Sequence, residues 1–358
     1  MKSIVDAKQF CCALKKAGSQ KRMPKRMRKQ VRVDFTDDAC RITGSDFSMW
    51  LVLKVPAIGD SFSFVFPDAA QAIRLSACHR GALAVELAGS EVTLASENRT
   101  GTFPVNSAED FPLAPKERPA FCRTTDANAL VARIGSVSYA VSRNMNRPAS
   151  CGVWFKDNCI WGVDGYRLAA NEDDSFTVKE PFAIHAPLLE QLKYFDRGKL
   201  KVAVGKNYVT FTGEGIKMVC RHLRSDDWLH LDKVLPKNAS EQYTVNRKQY
   251  LSALKYLAEC AHGMQRPCVL FEQGQLELDG DHCYYTARID VDGENEQPYM
   301  FNLRYMLEAL KQFKDVETLT VNTFGASNHP ILLTAGNATA MILPVRMSER
   351  PQRRDAAA

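Results

Sequence analysis

Apolar and polar residues alternate in the same way in three separate stretches of this chain: Val33–Asp46, Val153–Asp164 and Val269–Asp281. Each reads as an apolar strand, a turn of Asp, Asn or Gly type, and a second alternating strand that ends near an Asp. Period-two alternation belongs to a strand with one buried face, and the turn residues fold each pair back on itself, so three β-hairpins are predicted. An amphipathic helix precedes each hairpin. The first spans about Asp6–Lys16, with Phe10, Ala13, Leu14 and Ala17 on one face. The second starts near Asp126 and carries Ala127, Leu130, Val131 and Ile134 at helical spacing. The third starts near Asn246, with Tyr250, Leu254, Leu257 and Ala258 apolar. Lys15, Lys16, Arg133, Lys248 and Lys255 fall on the opposite, polar faces.

Each repeat continues with a second helix, near Pro67–Ala77, Pro187–Phe195 and Asn302–Phe313. Pro67 and Pro187 suit a first helical turn, and Asn302 suits an N-cap. Further strands are predicted at Ala82–Leu87, Glu91–Ala95, Lys199–Val204, Tyr208–Thr212, Glu317–Val321 and Ala338–Pro344. Linkers fit at Pro112–Pro119 and near Leu235–Glu241, which gives domains over 1–118, 119–238 and 239–347 and a disordered tail over 348–358. The predicted class is α+β, built from three repeats. Sheets that need a solvent face, with helices presenting polar faces together, point to a curved solenoid or ring with helices along one side.

Composition adds little to this picture, whereas charge distribution adds a good deal. The chain has 358 residues, 45% hydrophobic and 25% charged, as ordinary soluble globular proteins do. Its net charge of +6 looks mild. Yet Lys15, Lys16, Lys21, Arg22, Lys25, Arg26, Arg28, Lys29 and Arg32 follow one another with no Asp or Glu between them. Without those nine, 38 basic residues face 41 acidic ones, so the body is slightly acidic. Such a segment is either a polyanion contact or a solvated loop.

Other patterns mainly exclude. The first twenty residues lack a signal peptide's apolar region, and no run of about 18 apolar residues offers a membrane span. Eleven cysteines at irregular spacing, with no C-x-x-C, fit a reducing compartment better than a disulfide scaffold. There is neither a G-x-x-x-x-G-K-[ST] loop nor an H-E-x-x-H. Cys260, His262, Cys268, His282 and Cys283 fit no standard zinc spacing. Asp46 and Asp164 resemble a carboxylate pair but end equivalent strands of different repeats, so a shared active site is not expected. No metal site, cofactor or catalytic residue is predicted.

Several segments, taken in chain order, resemble the bacterial sliding clamp family, the β subunit of DNA polymerase III. Gly44-Ser-Asp46, Phe103 and Asp110-Phe-Pro112 fit its first domain. Val163-Asp-Gly-Tyr-Arg-Leu-Ala169 resembles T-D-G-H-R-L-A, and Trp228–Asn238 resembles F-P-D-Y-x-x-V-L-P-x-N. Phe301–Leu310 resembles F-N-x-x-Y-L-x-x-x-L, and Ala340–Met347 resembles the terminal Y-x-x-M-P-M-R-L.

The resemblance implies three clamp domains per chain, helices inside and antiparallel sheets outside, with two chains closing head-to-tail into a homodimeric ring. It implies a non-catalytic processivity factor that encircles duplex DNA without reading sequence and tethers polymerase and clamp-loader subunits through a short linear motif. The implied location is the bacterial cytoplasm, at the nucleoid. On this reading Lys21, Arg22, Lys25, Arg26, Arg28, Lys29, Arg143 and Arg147 are the DNA-contact candidates. The partner-peptide pocket is formed by Arg147, Val163, Gly165, Tyr166, Arg167, Leu168, Leu229, Lys233, Val234, Met341, Ile342, Leu343, Pro344, Val345 and Arg346. Leu168, Val234, Ile342 and Leu343 are its apolar walls, Gly165 allows close backbone approach, and Arg167 is a rim donor. The chain departs from the family pattern at Val163 (Thr), Tyr166 (His) and Leu229 (Pro), has Pro148 and Ala149 where tyrosines are common, and continues beyond the terminal motif as Ser348–Ala358. The alternative is a non-replicative scaffold that binds nucleic acid through the Lys15–Arg32 patch.

Overall fold

A computed structural model describes residues 1–18, 30–144, 146–195, 197–223, 231–280, 283–325 and 328–346. They form two compact units, one within residues 1–131 and 187–222 and one within residues 132–186 and 223–346.

In the first unit, the helix Ala7–Ala17 is capped by Asp6, whose carboxylate accepts the Gln9 N–H at 2.8 Å. Phe10, Leu14 and Ala17 are fully buried along one face, as the spacing predicts. The helix lies so close on the strand Ala39–Ser45 that a Cβ at Gly44 would sit 2.0 Å from the Ala17 carbonyl oxygen. The first hairpin is Val31–Thr36 with Ala39–Ser45. Beside it runs the strand Met49–Gly59, which pairs on its other edge with Lys2–Asp6 at one end and Ile216–Arg221 at the other. Through that last pairing one antiparallel sheet runs from Arg99–Pro104 at one edge to Phe121–Asp126 at the other. Aromatic packing thickens the core, with Phe35 on Phe62 at 4.7 Å and Phe64 on Phe66 at 4.9 Å.

The second unit repeats the device. Its hairpin Gly152–Asp157 with Cys159–Val163 is followed by Arg167–Glu172, which pairs antiparallel with Ala338–Ile342. One sheet therefore runs from Val178–His185 to Val291–Gly293. A smaller sheet holds the third hairpin, Cys268–Glu272 with Gln275–Asp279, between Tyr299–Asn302 and the edge strand Tyr284–Arg288. The helix Arg247–Cys260 and the helix Leu303–Leu310, capped by Asn246 and Asn302, bury Tyr250, Leu254, Leu257, Met306 and Leu310 in one core. Arg304 and Tyr305 donate backbone N–H groups to Asn302 Oδ1 at 3.0 and 3.2 Å, the expected cap.

Some expectations shift. Pro67 stands outside its helix, because Asp68 is the cap and the helix begins at Ala69. The helix expected near Pro187 is one α-turn, Ala186–Leu189, followed by a 3₁₀ segment, Glu190–Tyr194. Arg133 does not face solvent: it is 6% exposed, donating to Asn171 Oδ1 at 2.8 Å and to the Asn158 carbonyl at 2.7 Å. Its guanidinium ties the second hairpin to the strand that follows, so helical spacing alone misassigned it. Lys15, Lys248 and Lys255 are exposed. Among the described residues no helix is long and apolar enough to cross a membrane.

Candidate functional site

The site candidates gather on the second unit, around the turn from Cys159–Val163 to Arg167–Glu172. Asp164 builds this turn. Its Oδ1 accepts the Tyr166 and Arg167 N–H groups at 2.9 and 3.0 Å, while its own N–H donates to the Arg167 carbonyl. Gly165 has φ +93°, a conformation that disfavours any side chain. Among the described residues, the one atom within 4 Å of a Cβ there is Arg147 Nη1, at 3.7 Å. Gly165 therefore serves the turn itself, and Arg147 stands beside it. Asp46 makes the same turn in the first repeat, capping the Ser48 and Met49 N–H groups at 3.0 and 2.7 Å, with Phe47 at φ +64°. The recurring Asp is thus a turn former in both repeats.

Strand alternation then sorts the walls. Leu168 faces Met341, and Arg167 faces Ile342, across the pairing with Ala338–Ile342. Leu168 and Met341 join one apolar cluster with Trp154, Trp161 and Ala170, packed by Val163, Leu231, Val234 and Leu332. Ile342 points the other way, into the core with Leu303 and Met306. It is 1% exposed and does not share a wall with Leu168. Trp154 and Trp161 stack at 6.3 Å within this cluster; strand patterning alone does not single them out.

Arg167 is not a rim group either. Its side chain is 10% exposed, with Nε on Asp164 Oδ2 at 3.0 Å, Nη1 on Glu308 and Nη2 on the Tyr139 carbonyl at 2.7 Å. The guanidinium lies over the rings of Tyr305 and Tyr139 at 4.5 and 5.2 Å. Glu308 also receives Arg304 Nε at 2.8 Å. Burial pushes the Glu308 carboxyl up, but hydrogen bonds from Arg304 and Arg167, and their charges, hold it below the ordinary glutamate range. Tyr139, Tyr305 and Glu308 thus belong to the site's support. Tyr305 lies within the Phe301–Leu310 motif, which the sequence reading used without assigning it a contact.

What remains open to a partner is Tyr166, 62% exposed and stacked at 6.3 Å on Tyr305, and Leu343, 38% exposed. The Leu343 N–H donates to the Tyr166 carbonyl, and the Val345 N–H to the Met300 carbonyl, both at 2.8 Å. These bonds hold the terminal segment along the turn, with Pro344 and Val345 half-buried. Arg147 stands beside Gly165, Lys233 lies on the segment Leu231–Val234 whose ends pack on the cluster, and Arg346 follows Val345; all three are exposed. Exposed aromatic and aliphatic groups beside an apolar cluster, rimmed by cations, make a surface suited to an extended peptide.

No protein-family model matches the chain. It is 23% identical over 268 residues to the beta sliding clamp of Chlamydia muridarum, covering 67% of this chain and 69% of that protein. The beta sliding clamp of Chlamydia trachomatis is also 23% identical over 268 residues, covering 67% of this chain and 61% of that protein. The fold aligns over 97% of the chain with the whole DNA polymerase beta subunit of Streptococcus pyogenes, at a TM-score of 0.89 and 17% identity. A DNA polymerase sliding clamp from Bacillus subtilis aligns over the same share at 0.86 and 18%. The chain has the fold of the bacterial sliding clamps and resembles them in sequence.

Among the described residues no group of His, Cys, Asp or Glu is placed to hold a metal ion. The eleven cysteines are not joined in disulfides. Of the DNA-contact candidates, Arg143 and Arg147 are exposed on one loop. Lys21, Arg22, Lys25, Arg26, Arg28 and Lys29 lie outside the described residues, as do Leu229, His282 and the segment Ser348–Ala358.

Proposed function

We propose that two copies of this clamp close into a ring around duplex DNA and that the surface at Tyr166 and Leu343 tethers replication proteins to it. One observation carries the ring. In each unit the strand that follows a repeat's hairpin pairs with the last strand of the next repeat: Met49–Gly59 with Ile216–Arg221, and Arg167–Glu172 with Ala338–Ile342. Applied once more, the rule calls for Tyr284–Arg288, after the third hairpin, to pair with Arg99–Pro104, the last strand of a first repeat. Both are edge strands among the described residues. A second copy supplies each with its partner, which removes two exposed edges and closes the assembly head-to-tail. Domains over 1–118, 119–238 and 239–347 are the units of that closure.

A ring holds DNA by topology and needs no base contacts. Basic groups facing the hole then act on phosphates, weakly and with strong salt dependence, so the ring slides. The Lys21–Lys29 segment, with Arg143 and Arg147, is assigned this role. The slightly acidic remainder of the chain disfavours DNA elsewhere. A loader subunit and the polymerase are taken to share the peptide surface, in the cytoplasm at the nucleoid. Single-hit primer extension with the source organism's polymerase tests the function: the clamp lengthens products per binding event, and unchanged product length would overturn the reading.

A further inference from the structure

We infer that the peptide site selects partners by charge, taking segments whose apolar anchors are flanked by acidic residues. This rests on the peptide-pocket reading above and narrows it to a chemical class.

The observation is an imbalance. Arg147, Lys233 and Arg346 are exposed, and none of them pairs with a carboxylate among the described residues. Arg147 stands beside the turn, its Nη1 3.7 Å from where a Cβ at Gly165 would lie. Lys233 stands on the short helix Leu231–Val234, whose Leu231 and Val234 pack against the cluster of Leu168 and Met341. Arg346 follows Val345, which is held to the Met300 carbonyl at 2.8 Å. The acidic groups of the same turn and its supporting helix are already engaged: Asp164 and Glu308 both bind Arg167, with side chains 13% and 28% exposed. Their charge is spent inward, beneath the surface, while the cations remain outward. An apolar anchor on Tyr166 and Leu343 thus lies within a positively charged surround. Acidic flanks are attracted there, and basic flanks are repelled at short range where screening is incomplete.

The test uses the full-length protein and three labelled peptides that share one core of apolar anchors, with Asp/Glu, Ser or Lys flanks. Binding is read by fluorescence anisotropy at about 50 mM and about 300 mM salt, on either side of physiological screening. The acidic peptide is expected to bind on the order of tenfold tighter than the Ser peptide at low salt, the Lys peptide weakest, with the spread narrowing at high salt. The double variant Arg147→Glu, Lys233→Glu is expected to reverse the order. Equal affinities for all three peptides would overturn the inference and leave the pocket standing. No binding by any of them, the Ser peptide included, would overturn the pocket reading itself.

Discussion

Replacing Arg167 with Ala removes the post on which the site's turn rests. The change deletes the bond to Asp164 at 3.0 Å, the contact with Glu308, the bond to the Tyr139 carbonyl at 2.7 Å and the guanidinium over Tyr305. Breaking a buried ion pair by removing one partner costs about 3–5 kcal/mol. Here part of that cost is relieved. Glu308 keeps Arg304 at 2.8 Å and is 28% exposed, and Asp164 keeps its two backbone donors. About 2–3 kcal/mol remains, carried by the uncompensated Asp164 and the orphaned Tyr139 carbonyl. A chain of this size need not unfold in one step, so a global melting temperature is a poor readout. Amide hydrogen exchange at Leu343, whose N–H is held by the Tyr166 carbonyl, reports the turn directly. Exchange there is expected to speed up about 30- to 150-fold, the equivalent of 2–3 kcal/mol at about 1.36 kcal/mol per decade. A double-mutant cycle with Glu308→Gln is expected to show coupling of about 1 kcal/mol or more. Exchange at Leu343 altered less than about threefold would refute the argument that Arg167 supports the turn.

Three further predictions use other parts of the molecule. The Glu308 carboxyl is held low in the folded state, so its contribution is present above about pH 4.3 and lost as pH falls through its folded value; protection at Leu343 should fall below about pH 4, and less so in Glu308→Gln. Gly44→Ala forces a Cβ to within 2.0 Å of the Ala17 carbonyl oxygen, backbone that cannot step aside, and should cost the first unit about 2–4 kcal/mol in urea unfolding followed through Trp50. Neutralising Lys21, Arg22, Lys25 and Arg26 together should lower the slope of log affinity against log salt for duplex DNA by up to about 3.6, with dimer formation unchanged in sedimentation.

The hairpins and their preceding helices were legible because each is local: a period-two run, a turn and a cap within a few residues. Asn246 and Asn302 announce their helices by side-chain chemistry alone. The strands that join repeats, Met49–Gly59 and Arg167–Glu172, were not assigned, although Leu51, Leu53, Val55 and Ala57 alternate clearly. Their significance lies in partners more than a hundred residues away, which no local pattern records. The site was legible as a set of positions but not as roles. Arg167 reads as a rim donor through the family resemblance, and only the fold shows it buried between Asp164 and Glu308. Ile342 and Met341 are both apolar, and register alone decides which faces Leu168. Gly165 was expected to admit a close backbone, whereas its φ of +93° gives the physical reason for glycine.

Enclosure, rather than binding at one surface, is the proposed way in which this chain holds DNA. The direct measurement is retention on a circular plasmid after loading by the source organism's loading machinery, followed by linearisation with a restriction enzyme. Enclosure predicts that the protein stays on the circle, leaves the linear DNA, and is retained again when the ends are blocked by bound protein. Equal retention on circular and linear DNA would contradict it.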